Sequence, residues 1–138
     1  MILTRLIYCS KTDIKQGDEA LEKIIAASRR NNTKVDVTGA LLLKDGYFMQ
    51  CIEGRRELVN QVYRRVCQDE RHDDVRLLFY SEVNERYFAG WDMTMIPTVS
   101  AILQLNCFRY STHREFDPTT LRSHGADELM KTLADIMT

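Results

Sequence analysis

Three polar residues are the first candidates for chemistry: Tyr8, Asn32 and Gln50. Gln50 stands in an otherwise apolar stretch, where a buried amide without hydrogen-bond partners costs about 1–3 kcal/mol. A glutamine side chain donates and accepts hydrogen bonds at once, and rotation of its amide exchanges these roles. A phenol and two amides that converge between two helices could therefore hold a flat polar heterocycle. Ile24 and Val66 could pack on its two faces.

Each of these polar residues also has an ordinary structural interpretation. Tyr8 is typical of a core tyrosine whose hydroxyl bonds a neighbouring group. Asn31 and Asn32 form a common stop signal at the end of a helix, because asparagine tolerates left-handed backbone geometry. Gln50 is harder to explain in this way, since its sequence neighbours are apolar. The residues alone leave both interpretations open.

Hydrophobic periodicity predicts the elements that must position these residues. They are strands over residues 3–10, 35–43, 47–54, 75–83 and 91–96, helices over 19–30 and from 54 to about 68, and helical stretches over 99–106 and 126–137. Asp45-Gly46 between two apolar runs predicts a hairpin. The order predicts an α+β fold of the ferredoxin-like βαββαββ type: a five-stranded sheet with two helices on one face and the C-terminal helices covering the other. Strands one and three are then neighbours, which brings Tyr8 beside Gln50.

Length and composition narrow the class of protein. The 138 residues suit a single core, and the net charge of −1 does not favour nucleic acid as a partner. No apolar run reaches the roughly 20 residues of a membrane span, so we expect a cytoplasmic protein that binds no membrane. The four scattered cysteines form no CxxC pair, and we expect no metal site. His72 lies in a charged segment and is predicted to be exposed.

Five short motifs occur in order along about residues 2–97. They are LIYCS at 6–10, NN at 31–32 followed by VTGAL at 37–41, FMQ with IEG between 48 and 54, DERH at 69–72, and FAGWDM at 88–93. Together they resemble the BLUF family of blue-light sensors, which use FAD. The tail, with Phe116-Asp117-Pro118, is similar to that of short stand-alone members without a fused output domain.

The resemblance implies a flavin-binding domain over residues 1–97 and a C-terminal helical extension over 98–138 packed on the sheet. It implies that FAD lies between the two helices. Tyr8 matches the tyrosine that gives an electron and then a proton to the excited flavin. Gln50 matches the glutamine that bridges tyrosine and flavin and rearranges its hydrogen bonds after light.

The resemblance implies further site residues and partners. The cofactor-binding residues that it implies are Ile24, Ser28, Asn31, Asn32, Arg65, Val66 and Asp69, and the strand-five residues that relay the signal are Trp91 and Met93. Without the resemblance, the last two would be interpreted as core or edge residues. The chain is then expected to be a homo-oligomer without enzyme activity that acts on a separate downstream signalling protein.

Three other functions are compatible with the same fold. A regulatory module that holds a small metabolite through Tyr8 and Gln50 would be colourless, whereas a flavoprotein is yellow. An acyl-phosphate hydrolase needs a phosphate-binding loop with an arginine after strand one, and residues 10–16 contain neither an arginine nor a glycine-rich run. RNA binding needs exposed aromatic side chains on an open sheet face, which the C-terminal helices are expected to cover.

Overall fold

The fold is a five-stranded sheet between two pairs of helices, seen in a computed structural model that describes residues 2–97, 100–112 and 114–137. Its elements are β1 (Leu3–Lys11), α1 (Glu19–Thr33), β2 (Thr38–Lys44), β3 (Tyr47–Arg55), α2 (Arg56–Gln68), β4 (Asp73–Glu82), β5 (Thr94–Met95), α3 (Ser100–Tyr110) and α4 (Ser123–Met137), with a 3-10 turn at Pro118–Thr120. This confirms the predicted ferredoxin-like order. Residues 1, 98 and 138, which bound the two predicted parts of the chain, and residue 99 lie outside the described residues.

The sheet runs β4-β1-β3-β2-β5, so β1 and β3 are antiparallel neighbours as predicted. Their register places Tyr8 directly opposite Gln50. The β2–β3 hairpin turns at Asp45 and Gly46, whose φ angles are 53° and 83°. Two successive positive φ angles are what a two-residue hairpin requires, which confirms this part of the prediction.

Strand side chains alternate between two separate cores. The face toward α1 and α2 carries Leu6, Tyr8, Leu41, Leu43, Phe48 and Ile52. The opposite face carries Ile7, Ala40, Leu42, Met49 and Cys51, which pack with Leu103 of α3 and with Leu129, Met130 and Leu133 of α4. The C-terminal helices therefore cover the second face, as predicted. Within the described residues, every helix is too short or too polar to span a bilayer.

The fifth strand is shorter than predicted. Thr94–Met95 form the strand, parallel to β2, and single backbone bonds on either side join Gly39 N to Trp91 O at 3.1 Å and Ile96 N to Leu41 O at 2.9 Å. The carbonyl oxygens of Asp92 and Met93 have side-chain partners instead: Asn32 Nδ2 donates to Asp92 O and Arg29 Nε donates to Met93 O, both at 2.9 Å. These residues therefore lie in a bend beside the sheet and not in a strand.

Helix α1 extends past its predicted end. Asn31 and Asn32 lie in its last turn, which closes at Thr33. The chain turns afterwards, at Asp36 with a φ of 55°, where Val37 N bonds back to Asn32 O at 3.1 Å. The asparagines are thus inside the helix, and the turn predicted from them comes a few residues later. Elsewhere β2 begins later, and β4 and α4 begin earlier, than periodicity predicts.

A buried ionic group on the second face, here called the Arg5 cluster, consists of Arg5, Glu53, Tyr87, Phe88 and Asp127. Arg5 Nε lies 2.9 Å from Glu53 Oε2, and Arg5 Nη1 lies 3.1 Å from Asp127 Oδ1. The Glu53 carboxylate also accepts the backbone N–H groups of Tyr87 and Phe88 at 2.8 Å. The cluster joins β1, β3, the segment after β4 and the first turns of α4.

Candidate cofactor site

A cleft opens between α1 and α2 over the sheet face that carries Tyr8 and Gln50. It contains about 670 Å³ of space free of protein atoms, part of it open to solvent. Nine of the residues named from the sequence line it: Tyr8, Ile24, Ser28, Asn31, Asn32, Gln50, Arg65, Val66 and Asp69. The fold therefore brings together residues that are far apart in the sequence.

Tyr8 and Gln50 form a hydrogen-bonded pair on the sheet side of the cleft. The Tyr8 hydroxyl donates to Gln50 Oε1, and Gln50 Nε2 donates to Met93 Sδ at 3.3 Å. Tyr8 is 0% exposed and Gln50 is 5% exposed. The amide oxygen thus faces a donor while the amide nitrogen faces a sulfur that can only accept, which defines the orientation of the amide.

The surroundings of Tyr8 keep its phenol protonated. Burial raises the pKa of Tyr8 well above its usual value, because the phenolate would lose its hydration. The aromatic rings of Tyr63 and His72 lie near, with centroids 5.7 Å and 5.9 Å from that of Tyr8. The phenol is therefore poised to donate its hydrogen to Gln50.

The helices form apolar walls with a polar end. Ile24 of α1 is buried and Val66 of α2 is half-buried, and both line the cleft. The two asparagines, Asn31 and Asn32, lie at the end of α1, and the Asn32 amide is oriented by its bond to the backbone of residue 92. Arg65 is exposed at the rim. A flat ligand with polar groups on one edge matches this distribution.

Trp91 and Met93 point into different cores. Met93 is 2% exposed and contacts Gln50. Trp91 is half-buried against the opposite core, with its ring centroid 6.0 Å from that of Phe88. Met93 is therefore the one of the two that touches the buried amide.

His72 was missed, and its predicted exposure is wrong. It is half-buried in the cleft wall, with Nδ1 2.7 Å from Ser10 Oγ and its ring centroid 4.9 Å from that of Phe48. Burial lowers the pKa of His72 below its usual value. The signal that could have placed it is its position directly before β4, which pairs with β1 beside Tyr8.

Arg71 is a second cleft residue that sequence reasoning did not assign to the site. Its guanidinium contacts both carboxylate oxygens of Asp69, with Nε 2.9 Å from Oδ1 and Nη2 2.6 Å from Oδ2. These hydrogen bonds lower the pKa of Asp69, so the carboxylate is held in place and charged. Asp69 can therefore accept hydrogen bonds from the hydroxyl groups of a ligand at this end of the cleft.

Comparison with known proteins decides the family. The family model described as "Sensors of blue-light using FAD" matches residues 3–94, more than half of the chain. The chain belongs to the BLUF family. BLUF proteins are blue-light sensors, which makes the sequence-based resemblance correct.

The relatives extend well beyond the matched region. The "Blue light- and temperature-regulated antirepressor BluF" of Escherichia coli is 38% identical over 94 residues, which are 68% of this chain and 23% of the relative. The "Photoactivated adenylate cyclase subunit beta" of Euglena longa is 33% identical over 93 residues, 67% of this chain and 11% of the relative. This chain thus spans only about a quarter or less of these relatives' length.

A solved structure of a BLUF protein is similar along almost the whole chain. The dark-state structure titled "BlrB - a BLUF protein" has a TM-score of 0.81 and 25% identity, and covers 98% of this chain and 97% of its own. The C-terminal helices therefore belong to an arrangement seen in another BLUF protein.

The cleft fits the isoalloxazine part of FAD. Ile24 and Val66 suit the two faces of a flat ring, and the amides of Asn31, Asn32 and Gln50 suit its carbonyl and imide edge. Gln50 Nε2 carries two N–H groups, of which the bond to sulfur uses one. The donor set of this chain is thus compatible with the cofactor of the family.

Proposed function

We propose that this chain is a blue-light photoreceptor that binds FAD non-covalently between α1 and α2. The observation that supports this most is the buried pair of Tyr8 and Gln50 at the base of a cleft with two apolar walls. When bound, FAD supplies the light absorption and the electron-accepting chemistry. The proposed cofactor contacts are Ile24, Ser28, Asn31, Asn32, Arg65, Val66 and Asp69.

Tyr8 and Gln50 form the photochemical switch in this proposal. Tyr8 would supply an electron and then its phenolic proton, which bound FAD would accept after it absorbs light. Because that proton is the one donated to Gln50 Oε1, its departure removes the bond that fixes the amide. The Gln50 amide would then rearrange, and both the electron and the proton would have to return to Tyr8 for the neutral phenol to be restored.

Met93 and Trp91 relay the change in this proposal. Met93 accepts from Gln50, and Trp91 packs against the core that α3 and α4 share with the sheet. Met93 and Trp91 are only two positions apart in the chain, so this short segment would link the switch to the C-terminal helices. The flavin-binding domain would comprise residues 1–97, and the output surface would belong to the extension over 98–138.

The output proposed for this chain is contact with a separate signalling protein. The named relatives are an antirepressor and a photoactivated cyclase, so the family serves more than one kind of output. We propose that this chain is a cytoplasmic homo-oligomer that acts on a protein partner, and not on nucleic acid or a membrane, and that it has no enzyme activity of its own.

The test is an absorption spectrum of the purified protein before and after blue light. We expect a yellow protein whose flavin absorption shifts to longer wavelength on illumination. The Tyr8→Phe variant should keep the flavin and lose the shift, and Gln50→Leu should fold normally and lose the switch. Tyr80→Phe, at an exposed tyrosine on β4, is the matched control and should shift like the parent. A colourless protein that takes up no FAD, or a normal shift in Tyr8→Phe, contradicts the proposal.

A further inference from the structure

The last turn of α1 holds Met93 in place. Arg29 Nε donates to the Met93 carbonyl oxygen at 2.9 Å, and Asn32 Nδ2 donates to Asp92 O at the same distance. Thr33 Oγ1 lies 2.8 Å from Asp92 Oδ2. The sheet holds the same segment on either side of Met93, because Gly39 N donates to Trp91 O at 3.1 Å and Thr94 pairs with Ala40. The Met93 carbonyl itself is bonded from α1, through Arg29.

The location of the Met93 side chain matters for Gln50. The sulfur lies 3.3 Å from Gln50 Nε2 and can accept but not donate a hydrogen bond. It therefore favours the amide orientation in which Oε1 faces Tyr8, because the opposite orientation would set the amide oxygen against the sulfur. Space for the Met93 methyl exists because position 39 is Gly39, where an added Cβ would lie 3.3 Å from Met93 Cε.

We propose that Arg29 is a positioning residue for the light response: it holds Met93 where its sulfur selects the dark-state orientation of the Gln50 amide. This inference rests on the proposed photoreceptor function. Arg29 is the informative position among the three anchoring side chains. Asn32 also lines the cleft, and Thr33 contacts the neighbouring aspartate, whereas Arg29 bonds the Met93 carbonyl itself.

The test compares Arg29→Gln with Arg30→Gln. Arg30 is the next residue of the same helix, exposed and of equal charge, which makes it the matched control. In the purified protein kept in the dark, carbon-13 NMR of the Met93 methyl group reports its packing directly. We expect Arg29→Gln to shift or broaden this resonance and Arg30→Gln to leave it unchanged.

In flavin-loaded protein, recovery in the dark is the second measurement. Arg29→Gln should slow it about fivefold relative to Arg30→Gln, the effect of losing about one net hydrogen bond, because the returning amide lacks a fixed acceptor. Arg29→Lys, which keeps a cationic donor, should recover part of the rate. The role of Arg29 is refuted if Arg29→Gln keeps its fold by circular dichroism and leaves the Met93 resonance unchanged. It is refuted equally if Arg29→Gln leaves the recovery rate unchanged. Failure of the parent protein to bind FAD refutes the photoreceptor function instead, so the two failures are distinguishable.

Discussion

Replacing Glu53 by glutamine should strongly destabilise the fold while leaving the cleft residues untouched. Glu53 is 0% exposed, and its carboxylate accepts Arg5 Nε at 2.9 Å and the backbone N–H groups of Tyr87 and Phe88 at 2.8 Å. A glutamine has one acceptor oxygen in place of two and presents an NH2 group that cannot accept. One of these donors therefore loses its partner in a buried place.

The loss of stability in Glu53→Gln depends on the contacts that Arg5 keeps. Removing one partner of a buried ion pair costs about 3–5 kcal/mol, since the other charge stays buried. Arg5 is 3% exposed but keeps Asp127 Oδ1 at 3.1 Å, which favours the lower end, about 3 kcal/mol. For a domain of this size each kcal/mol lowers the melting temperature by about 3–5 °C, so Glu53→Gln should lower it by about 10 °C.

Urea denaturation and thermal melting followed by circular dichroism measure this change. The matched control is Glu82→Gln, because the pair between Arg56 Nη1 and Glu82 Oε1 is 3.6 Å long and mostly exposed. Exposed pairs contribute about 0–1 kcal/mol, so the control should melt close to the parent. If Glu53→Gln is destabilised no more than Glu82→Gln, the Arg5 cluster does not hold the C-terminal helix to the sheet.

Two further predictions concern the cleft and the sheet beneath it. Burial lowers the pKa of His72 in the folded protein, whereas a histidine in the unfolded chain has a pKa of about 6.5. Because the unfolded state then binds a proton at His72 more readily, the free energy of unfolding should fall as the pH drops below about 6.5. Urea denaturation between about pH 8 and about pH 5 should show a smaller decrease in the free energy of unfolding for His72→Gln than for the parent. The exposed control, His124→Gln, should behave like the parent. The assignment is contradicted if His72→Gln has the parent's pH profile, or if His124→Gln reduces the decrease as much as His72→Gln does. Gly39→Ala should cost about 1–3 kcal/mol, because its Cβ would lie 2.0 Å from the Cys51 carbonyl oxygen. Gly90→Ala, with no atom within 4 Å of its Cβ, should be neutral in the same melting assay, and equal melting of both variants would show that the strands shift without cost.

The pairing of Tyr8 with Gln50 could be predicted because it depends on two local sequence patterns. Alternation along the strands decides which side chains share a face, and the hairpin at Asp45-Gly46 fixes the register of its two strands. Tyr8 and Gln50 then need only the strand order of the fold to become opposite residues. That Tyr8 and Gln50 lie next to each other therefore follows from sequence patterns, whereas the hydrogen bond between them depends on side-chain positions.

The missed features depend on contacts between distant segments. The fifth strand is shortened where side chains of α1 hydrogen-bond the carbonyl oxygens of Asp92 and Met93. The donors are Asn32 and Arg29, about sixty residues away in the chain. Burial of His72 results from the pairing of β4 with β1. No local pattern of apolar and polar residues encodes either contact, because in both cases a polar side chain finds its partner only after the sheet has formed.

The position of Glu53 three residues after Gln50 suggests how a change at the amide can reach α4. An odd separation along β3 places the two side chains on opposite faces. The segment that follows β4 contacts both of them, since Tyr87 N bonds Glu53 and Met93 Sδ bonds Gln50. A displacement of this segment therefore acts on the Arg5 cluster without crossing the apolar interior of the sheet. One hydrogen bond of about 1 kcal/mol changes an equilibrium only about fivefold, so we expect a large response of α4 to require the ionic contacts of the cluster to change together with the amide.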